Sequence, residues 1–187
     1  MTAKRCSWCE GDALYRAYHD EEWGRPIHDD RRLFELLVLE SFQAGLSWYT
    51  ILAKREGFRA ALDGFDYRLI AAYDDAKVEA LMQDVRIVRN RQKILATIQN
   101  AARFMEIQQE FGSFSEFIWA FVGGSPCVNH PRKLEDVPAS TPTSDAIAKE
   151  LKRRGFKFIG STVAYAFMQA VGLVNDHIED CAFKYPD

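Results

Sequence analysis

Four cysteines and four histidines offer the thiolate and imidazole groups that hold zinc in proteins. One possible tetrad joins Cys6 and Cys9, a C-x2-C pair, to Cys127 and His130, a C-x2-H pair. Paired ligands at this spacing are a familiar zinc pattern, so local spacing favours this tetrad. In the alternative, all of these side chains are unliganded, since free cysteines are readily buried in protein cores.

A second tetrad takes its ligands from opposite ends of the chain. It combines Cys6 and His19 with two residues of HIEDC, where His177 and Cys181 stand at i and i+4 on one helical face. Either tetrad would supply four protein ligands and leave no open coordination position. Both therefore predict a structural metal site rather than a catalytic one.

A carboxylate interrupts an apolar stripe in the segment LESFQAGLSW, residues 39–48. In the preceding helix pattern the stripe runs through Leu33, Leu36 and Leu37, and its next position is Glu40. A carboxylate buried without a partner has a raised pKa and costs free energy. The pattern therefore raises the question of what a carboxylate at this core position would pair with.

Two glycines bound a short turn in the segment KRRGFKFIGST. Gly155 suits the position after a helix where φ is positive, and Gly160 allows close backbone approach before the next helix. Backbone amides at such a turn, together with Lys157, could bind a phosphate. Most glycine-containing helical hairpins bind nothing, so the pattern alone favours a purely structural turn.

Helical periodicity dominates the chain and strand-like alternation is nearly absent, which predicts an all-α fold. Asp12 and Ser47 are candidate N-caps. The predicted helices span residues 13–23, 30–44, 48–62, 66–73, 75–84, 90–112, 114–122, 144–154 and 161–172. The core face of the longest helix is predicted to contain Ile94, Leu95, Ile98, Ala101, Ala102 and Met105. A loop over residues 123–142 holds four of the six prolines, and its length is typical of a functional or mobile segment.

The composition is that of an ordinary globular protein. Of the 187 residues 48% are apolar and 27% charged, which predicts one domain over residues 1–187 with a sizeable core. No apolar run approaches the roughly 18 residues that span a bilayer, so no membrane partner is expected. The N-terminal segment has no apolar leader pattern, and a cytoplasmic location is therefore expected.

The net charge is −3 and the sequence pI is about 5.8, which alone would argue against a nucleic-acid partner. The distribution is uneven, however. Residues 10–40 contain nine acids and four arginines, residues 86–93 contain four basic residues and no acid, and residues 145–160 contain five basic residues and two acids. Because a phosphate responds to charges within about 8–10 Å, either basic segment could contact a nucleic-acid backbone. Solvated helix faces are the alternative explanation.

Several segments taken together resemble the DNA-3-methyladenine glycosylase I family, the constitutive alkylation-repair glycosylases of bacteria. They are RCSWC, AYHDEEWG, LLVLESFQAGLSWYTIL, KRRGFKFIGSTVAYAFMQAVGLVNDH and Cys181, and they extend over nearly the whole chain. The resemblance implies a helix–hairpin–helix glycosylase fold with the hairpin at residues 152–162. It also implies a structural zinc that joins the two ends of the chain. The matching ligands are Cys6, His19, His177 and Cys181, which makes the remaining cysteines, Cys9 and Cys127, incidental.

The family's base pocket matches five residues of this chain. The resemblance implies that Glu40 is the carboxylate of the catalytic site, accepting from the exocyclic amino group of a cationic base. The aromatic walls are Tyr18, Trp48, Trp8 and Trp23. Plain core packing is the alternative for these aromatic side chains. Ser41 and Phe42 depart from the family pattern, so the wall beside Glu40 is expected to differ.

Contacts with duplex DNA are assigned to two further places. In the hairpin, Gly155, Lys157 and Gly160 would grip a phosphate. Leu46, in a tight Ala-Gly-Leu turn, is a candidate wedge that fills the gap left by a flipped base. A plain core leucine is the alternative for this residue.

The resemblance implies a monomeric, monofunctional enzyme that flips 3-methyladenine out of alkylated double-stranded DNA and hydrolyses its N-glycosylic bond. The products would be an abasic site and free 3-methyladenine. Two other hypotheses stand beside this one: a non-catalytic, zinc-stapled module that binds DNA damage, and a metal-dependent hydrolase of small molecules. The family lacks the catalytic aspartate of other helix–hairpin–helix glycosylases, so Asp176 and Asp180 are not assigned that role.

Overall fold

The computed structural model describes residues 3–185, and helices dominate its regular structure. The α-helices are α1 (Ala13–Glu21), α2 (Asp30–Gln43), α3 (Trp48–Ala53), α4 (Arg55–Ala61), α5 (Tyr67–Ala71), α6 (Asp75–Gln83), α7 (Arg91–Phe111), α8 (Phe114–Trp119), α9 (Pro142–Arg153) and α10 (Ser161–Ala170). Short 3-10 helices lie at Ser7–Cys9, Asp63–Phe65, Ala120–Val122 and Leu134–Asp136. The mostly helical class predicted from the sequence is confirmed.

A small parallel sheet ties the proline-rich loop to the C-terminal segment. Its strands are β1 (Cys127–Val128) and β2 (Val174–Asn175), with Cys127 opposite Val174. The period-2 alternation that would mark a strand needs about four residues, so a two-residue pair leaves no signal in the sequence.

Side-chain caps fix where most of the helices begin. The capping oxygens, which accept from backbone N–H groups of the first turn, belong to Asp12, Asp29, Ser47, Asp66, Asp74, Asn90, Ser113 and Thr141. Each cap satisfies at least one of the amides that a helix start leaves unpaired. The caps predicted at Asp12 and Ser47 are confirmed.

Two helix boundaries differ from the prediction. The predicted helix over residues 48–62 divides at Lys54 (φ −96°, ψ 0°) into α3 and α4. After the break Arg55 turns towards Glu22 and donates to both of its carboxylate oxygens, at 2.7 and 2.9 Å. The helix predicted from residue 144 begins instead at Pro142, because proline suits the first helical position and needs no hydrogen-bond acceptor there.

The buried face of α7 also differs from the prediction. Ile94 and Ala101 lie in the core as expected, but Leu95 is 47% exposed. The other buried residues of the helix are Lys93, Ala96, Thr97, Asn100, Phe104 and Ile107. Three of these are polar, so a reading of the apolar stripe alone misplaced the face.

Helix α2 lies inside the molecule rather than on its surface. It packs against α3, α7, α8 and α10, and residues 33–42 are all buried. α7 packs in turn against α5, α6 and α8, and α10 packs against α9. A helix surrounded on all sides buries every face, so the carboxylates that α2 carries are buried with it.

The two ends of the described chain lie side by side. The Ala182 amide donates to the Lys4 carbonyl at 2.9 Å, and Lys4 also forms an ion pair with Asp180. Arg5 donates to Asp20 of α1 at 2.8 Å. Within residues 3–185, no helix combines the length and the apolar character that a membrane crossing requires.

Candidate functional site

A cavity of about 690 Å³ opens between α1, α2, α3, α10 and the loop before α9. All five residues predicted for the base pocket line it: Trp8, Tyr18, Trp23, Glu40 and Trp48. They come from the first 3-10 helix, from α1 and the residues after it, and from α2 and α3. The tertiary fold thus brings together side chains spread over about forty positions of the chain.

The aromatic walls contact one another at steep angles. The Trp8 and Trp23 rings lie 5.1 Å apart at 74°, and the Tyr18 and Trp48 rings lie 5.4 Å apart at 50°. Edge-to-face contacts of this kind hold the rings in place and leave ring faces free for a ligand. Burial, with a smaller contribution from the neighbouring Glu40, raises the pKa of Tyr18 well above its ordinary value, so its hydroxyl stays protonated.

Glu40 is the one acidic group at the bottom of the cavity that lacks a partner among the described residues. It is 4% exposed, and its Oε2 is buried without a hydrogen bond to any of residues 3–185. Burial raises the pKa of its carboxyl group to about 8. A positive charge brought into the cavity would shift this group towards the carboxylate.

A donor lies open in the same cavity. The Trp48 indole Nε1 is buried, and within residues 3–185 it has no acceptor. Buried N–H groups in folded proteins are nearly always paired. The cavity therefore presents an unpaired donor and an unpaired carboxyl oxygen, which suits a flat ligand with both kinds of polar edge.

Two side chains beside Glu40 do not belong to the cavity wall. Ser41 donates to the Val38 carbonyl at 2.7 Å, and Phe42 packs edge-on against Phe58 with ring centroids 4.9 Å apart. Both side chains are buried, and neither is among the residues that line the cavity. The expectation that they alter the pocket wall is wrong.

Leu46 lies on a projecting turn between two cavity residues. The segment after Gln43, which lines the cavity, turns through Ala44 and Gly45 and returns at Trp48. Leu46 is 41% exposed, so it is not a core leucine. Its position beside the cavity is compatible with the predicted wedge.

The far side of the cavity holds a carboxylate whose hydrogen bonds are all made. Asp176 is buried and accepts from Tyr165 at 2.6 Å, Gln169 at 2.8 Å and Asn129 at 2.7 Å. These bonds join α10, the residue that follows β2, and the proline-rich loop. Asp176 therefore organises the wall, in contrast to the open carboxyl group of Glu40.

Behind the cavity wall, the structure brings together predicted metal ligands from both ends of the chain. The ligand atoms of Cys6, His19 and Cys181 lie within 4.8 Å of one another, and all three residues are buried. The His177 ring centroid lies 4.7 Å from that of His19. The Nε2 atom of His177 is buried and has no hydrogen-bond partner in the described chain.

The outer nitrogen of each histidine is held by a neighbour. Nδ1 of His19 contacts the Asp20 carboxylate at 2.7 Å, and Nδ1 of His177 contacts the Asn175 amide oxygen at 2.8 Å. Both contacts favour the tautomer that leaves Nε2 as the acceptor atom. Hydrogen bonds from Cys6 and, to a smaller extent, from His19 lower the pKa of the Cys181 thiol to about 4 although burial opposes the shift, so this sulfur is available as a thiolate.

The tetrad favoured by local spacing is not assembled. Cys9 is buried and its thiol donates to the Cys6 carbonyl at 3.1 Å. Cys127 is exposed on β1, and His130 is exposed and contacts Glu179 at 2.8 Å. Spacing in sequence misled because the C-x2-H pair lies on the proline-rich loop, away from the buried cluster.

The glycine turn between α9 and α10 has a defined geometry. Gly155 has φ +93°, and the amides of Gly155 and Phe156 donate to the carbonyls of Lys152 and Leu151, both at 3.0 Å. This is a Schellman motif, and it confirms the positive φ predicted at Gly155. A Cβ at Gly160 would meet no atom of residues 3–185 within 4 Å, so the space before α10 is open.

A buried asparagine, which the sequence reading did not single out, holds this turn. Asn100 of α7 accepts from the Lys157 amide at 2.8 Å and donates to the Lys157 carbonyl at 3.0 Å. Gln99 donates to the Gly155 carbonyl at 2.5 Å. The Lys157 side chain is left exposed. The available signal was a polar residue on the apolar face of α7, the same kind of signal that marked Glu40.

Two of the four basic residues in the segment at 86–93 are neutralised within the fold. Arg86 pairs with Asp84 at 2.7 Å and Arg91 pairs with Glu79 at 2.6 Å. Both acids precede residue 86, so the composition of residues 86–93 does not show them. The segment is therefore a weaker candidate for phosphate binding than its composition indicates.

The basic segment at 145–160 is partly neutralised in the same way. Arg153 and Arg154 both pair with Glu150, at 2.6 and 2.7 Å, and Arg154 also pairs with Glu110 at 2.6 Å. The hairpin turn thus carries fewer free charges than its composition indicates.

The fold and the cavity define a class of protein. A mostly helical chain encloses a pocket with aromatic walls, an open carboxyl group and an open indole N–H, which together suit one flat, positively charged heterocycle. A projecting apolar turn and an exposed helical hairpin lie outside it. These are the features expected of a protein that extracts a base from nucleic acid.

Comparison with known proteins identifies the family. A family model described as methyladenine glycosylase matches residues 8–185, so the chain belongs to the methyladenine glycosylase family. It is 49% identical over 178 residues to DNA-3-methyladenine glycosylase 1 of Escherichia coli (strain K12), covering 95% of each chain. It is 46% identical over 180 residues to the DNA-3-methyladenine glycosylase of Haemophilus influenzae, covering 96% of this chain and 97% of that protein.

A solved structure agrees with the sequence comparisons. It concerns 3-methyladenine recognition by 3-methyladenine DNA glycosylase I from Staphylococcus aureus. The two chains are 37% identical and superpose with a TM-score of 0.94, over 98% of this chain and 97% of that one. The similarity to known proteins therefore holds over nearly the whole fold.

Proposed function

We propose that this protein excises 3-methyladenine from alkylated duplex DNA by hydrolysing the N-glycosylic bond. The observation that carries the proposal is the cavity, where the unpaired Glu40 carboxyl group and the unpaired Trp48 N–H lie among aromatic walls. Family membership and the names of the relatives support the same activity. We infer that residues 3–185 act as one helix–hairpin–helix glycosylase domain and as a monomer.

Charge is what distinguishes the damaged base. Adenine methylated at N3 and still bonded to the sugar is a cation, and aromatic faces attract a desolvated cation by roughly 0.5–2 kcal/mol each. Glu40 accepts from the exocyclic amino group and offsets the positive charge. Unmodified adenine brings no charge, so it would leave Glu40 either protonated or unpaired, and the pocket rejects it.

The leaving group needs little help. When the C1′–N9 bond breaks, its electron pair moves to the base and neutralises the cation, while the sugar becomes oxocarbenium-like. Water adds to C1′ and loses a proton to solvent, which gives an abasic site and neutral 3-methyladenine. A strong general acid is therefore not required. The contact with Glu40 weakens as the base becomes neutral, which favours release of the product.

Two exposed features would engage the DNA around the flipped nucleotide. Leu46 would fill the space that the base leaves in the stack. The open amides at the start of α10, after Gly160, together with the exposed Lys157, would bind a backbone phosphate. Gln99 and Asn100 support that role by fixing the backbone of the turn from α7.

We further propose that Cys6, His19, His177 and Cys181 hold a structural zinc ion. The Cys181 Sγ–His19 Nε2 distance is 3.6 Å. Ligand atoms about 2.3 and 2.1 Å from a tetrahedral zinc lie about 3.6 Å apart, so these two fit. The buried, unpartnered Nε2 of His177 supports the fourth position. Bound zinc would supply cross-linking between the chain ends, and no step of the reaction would pass through it.

The proposed cluster also supports the cavity. The Trp23 ring lies 4.6 Å from that of His177, and the Trp8 ring lies 5.3 Å from that of His19. Both tryptophans line the cavity on their other side. Loss of the metal would therefore loosen the aromatic wall indirectly.

Release of bases from methylated duplex DNA tests the proposed activity. We expect free 3-methyladenine to appear with the wild-type protein, as detected by chromatography. A folded protein that binds methylated DNA and releases no base would instead be the non-catalytic damage-binding module. Glu40→Gln serves as the matched variant, because it keeps the size of the side chain and removes its charge.

Chelation separates a structural metal from a catalytic one. We expect activity to fall slowly in a strong chelator, together with loss of helical circular dichroism, because metal binding and folding are coupled. Fast, reversible loss of activity in a protein that stays folded would favour the metal-dependent hydrolase. Metal content measured before and after chelation shows whether zinc is the ion removed.

The phosphate site is tested by salt dependence. Lys157→Met should weaken binding to any duplex and reduce the slope of log affinity against log salt by about 1, since one phosphate contact is lost. Lys149→Met in the middle of α9 removes the same charge from outside the turn and serves as the control. Equal slopes for wild-type protein and Lys157→Met would exclude Lys157 from the site.

A further inference from the structure

A buried lysine contacts the end of the helix that carries Glu40. Lys93, in the first turn of α7, is 7% exposed and forms no ion pair with any of residues 3–185. Its ammonium group donates to the Phe42 carbonyl at 2.8 Å and to the Ala44 carbonyl at 2.6 Å. Both acceptors lie at the C-terminal end of α2.

A lysine at this position has a cost that an apolar residue would avoid. Burial lowers the pKa of the Lys93 ammonium, because removing a charge from water is unfavourable. The free carbonyls at a helix C-terminus carry partial negative charge and offset part of this cost. Packing alone would be served by methionine or leucine, so the charge points to a function for the two hydrogen bonds.

The hydrogen bonds fix the orientation of one peptide group. Residues 43–46 form a type II turn, with Ala44 at φ −49°, ψ 115°, Gly45 at φ +83°, and the Leu46 amide donating to the Gln43 carbonyl at 2.7 Å. In the competing type I turn, the Ala44–Gly45 peptide is rotated by about half a turn, which points the Ala44 carbonyl the opposite way. Lys93 can reach that carbonyl only in the type II form.

We propose that Lys93 is a positioning residue that locks this turn and thereby aims Leu46 at the DNA. The inference rests on the proposed role of Leu46 as the wedge. A turn of exposed residues with glycine at its centre could otherwise change between the two forms. Because Lys93 holds this peptide from the buried side, Leu46 points in one direction before DNA binds. Ordering the turn during binding then costs less free energy.

A double-mutant cycle with an abasic duplex tests this proposal. The probe is a duplex with one stable abasic-site analogue, which needs a wedge and involves no base release. Leu46→Ala should weaken its binding about tenfold, the order expected for the loss of one buried leucine contact. Lys93→Met should weaken it about tenfold through the loss of the charged hydrogen bonds. In a protein that already carries Leu46→Ala, Lys93→Met should weaken binding to the abasic duplex by less than about a further twofold.

The controls separate positioning from charge and from folding. Arg91→Met removes the same charge from the same helix turn and should change binding less than about twofold, since its ion pair is exposed. Binding of free 3-methyladenine, followed by tryptophan fluorescence, should be unchanged in Lys93→Met, because the cavity is intact. If the effects of Leu46→Ala and Lys93→Met add fully, Lys93 does not act through the turn and the proposal is wrong.

A second variant reaches the turn without touching the core. Gly45→Ala places a Cβ that meets nothing within 4 Å in the described chain, so its only penalty is the positive φ. It should weaken binding to the abasic duplex as Lys93→Met does, even if Lys93→Met folds poorly. If the wild-type protein binds the abasic duplex no more tightly than an intact duplex, the proposal for Lys93 is wrong. If the protein releases no base, only the proposed enzyme activity is wrong.

Discussion

Two carboxylates on the same helix are equally buried and have opposite surroundings. Glu35 and Glu40 both lie on α2, and each is 4% exposed. Glu35 accepts from Arg32 at 2.7 Å and from Arg59 at 2.9 Å. Oε2 of Glu40 has no partner within residues 3–185. The first carboxylate belongs to a completed ion pair, and the second lacks a partner that must come from outside the protein.

The difference shows how burial and pairing together identify a site. A buried acid with two arginines is a structural element, because the hydrogen bonds compensate for the water it has lost. Glu40 lacks that compensation, and burial raises the pKa of its carboxyl group to about 8. In neutral solution it is therefore mostly protonated until a cation enters. The four predictions below compare buried polar groups that have partners within the protein with buried polar groups that lack them.

The largest effect on stability is expected when Glu35 loses both of its arginine partners and becomes unpaired, as Glu40 is. The double variant Arg32→Met/Arg59→Met leaves Glu35 buried and unpaired, which should lower the free energy of unfolding by about 3–5 kcal/mol at pH 7.5. Urea unfolding at this pH measures the loss.

A control with exposed arginines defines the baseline for that experiment. Arg31 pairs with Asp66 and Arg86 pairs with Asp84 at the surface. Changing both arginines to methionine removes the same total charge and should cost less than about 1 kcal/mol. An equal loss in the two double variants would remove the contrast between buried and exposed pairs.

The next effect concerns the stability of the protein with Glu40→Gln. Folding favours the neutral form of the Glu40 carboxyl group, because burial raises its pKa to about 8. The free energy of unfolding of the wild-type protein therefore falls as the pH rises from about 4.3, the pKa of a glutamate in the unfolded chain, to about 8. Relative to wild type, the glutamine variant should gain on the order of 3–4 kcal/mol by pH 7 and level off at about 5 kcal/mol above pH 8. Unfolding at pH 5, 7 and 9 checks the sign and the window.

The matched substitution Glu35→Gln provides the comparison for this prediction. It leaves two arginines facing a neutral amide and should destabilise the protein at each of these pH values. A Glu40→Gln stability difference that does not vary with pH would contradict an ionisable, unpaired carboxyl group at this position.

A smaller effect is expected on ligand binding. Glu40→Gln should weaken binding of neutral 3-methyladenine about tenfold and of the permanently cationic 3,9-dimethyladeninium about a hundredfold, since charged hydrogen bonds are the stronger ones. Wild-type affinity for the cation should rise with pH up to about 8, because Glu40 must first lose its proton. Tryptophan fluorescence titrations give both affinities. Equal losses for the two ligands would mean that Glu40 recognises shape and not charge.

The smallest effect tests the open donor in the cavity. Trp48→Phe keeps an aromatic face and removes the N–H, so 3-methyladenine should bind about three- to tenfold more weakly. No internal hydrogen bond is lost, and stability should hardly change. Trp119, whose Nε1 donates to the Ile27 carbonyl at 2.9 Å, is the counterpart with a completed bond. Trp119→Phe should cost about 1 kcal/mol of unfolding free energy and leave ligand binding unchanged.

Much of the local structure could be predicted from sequence because its causes are local. The caps at Asp12 and Ser47 act within three residues, and the positive φ at Gly155 follows from the absence of a side chain. The break of the predicted helix 48–62 at Lys54 was missed, and the pairing of Arg55 with Glu22, 33 positions away, leaves no local signal in the sequence. The same reason explains the two-residue strands, each of which needs a distant partner.

The candidate site was predictable in its residues but not in its geometry. Resemblance to the family selected Glu40 and the four aromatic residues, and the structure places all five around one cavity. Local spacing selected Cys9, Cys127 and His130 as ligands, and the fold separates them. Residues that hold the site in place, such as Asn100 and Lys93, left only a weak signal, a polar residue on an apolar helix face.

The sequence by itself determined most of the helices and most of their ends, and it marked Glu40 as a polar residue on an apolar stripe. Only the tertiary structure decided which other polar residues would be buried and which of them would find partners. Glu35 meets Arg59 across 24 positions, Lys93 meets Ala44 across 49, and Asn100 meets Lys157 across 57. Glu40 meets no partner in the described chain. The physical reason is that a cap or a turn is decided by neighbours in sequence, whereas the pairing of a buried charge depends on helices that meet only in the folded molecule.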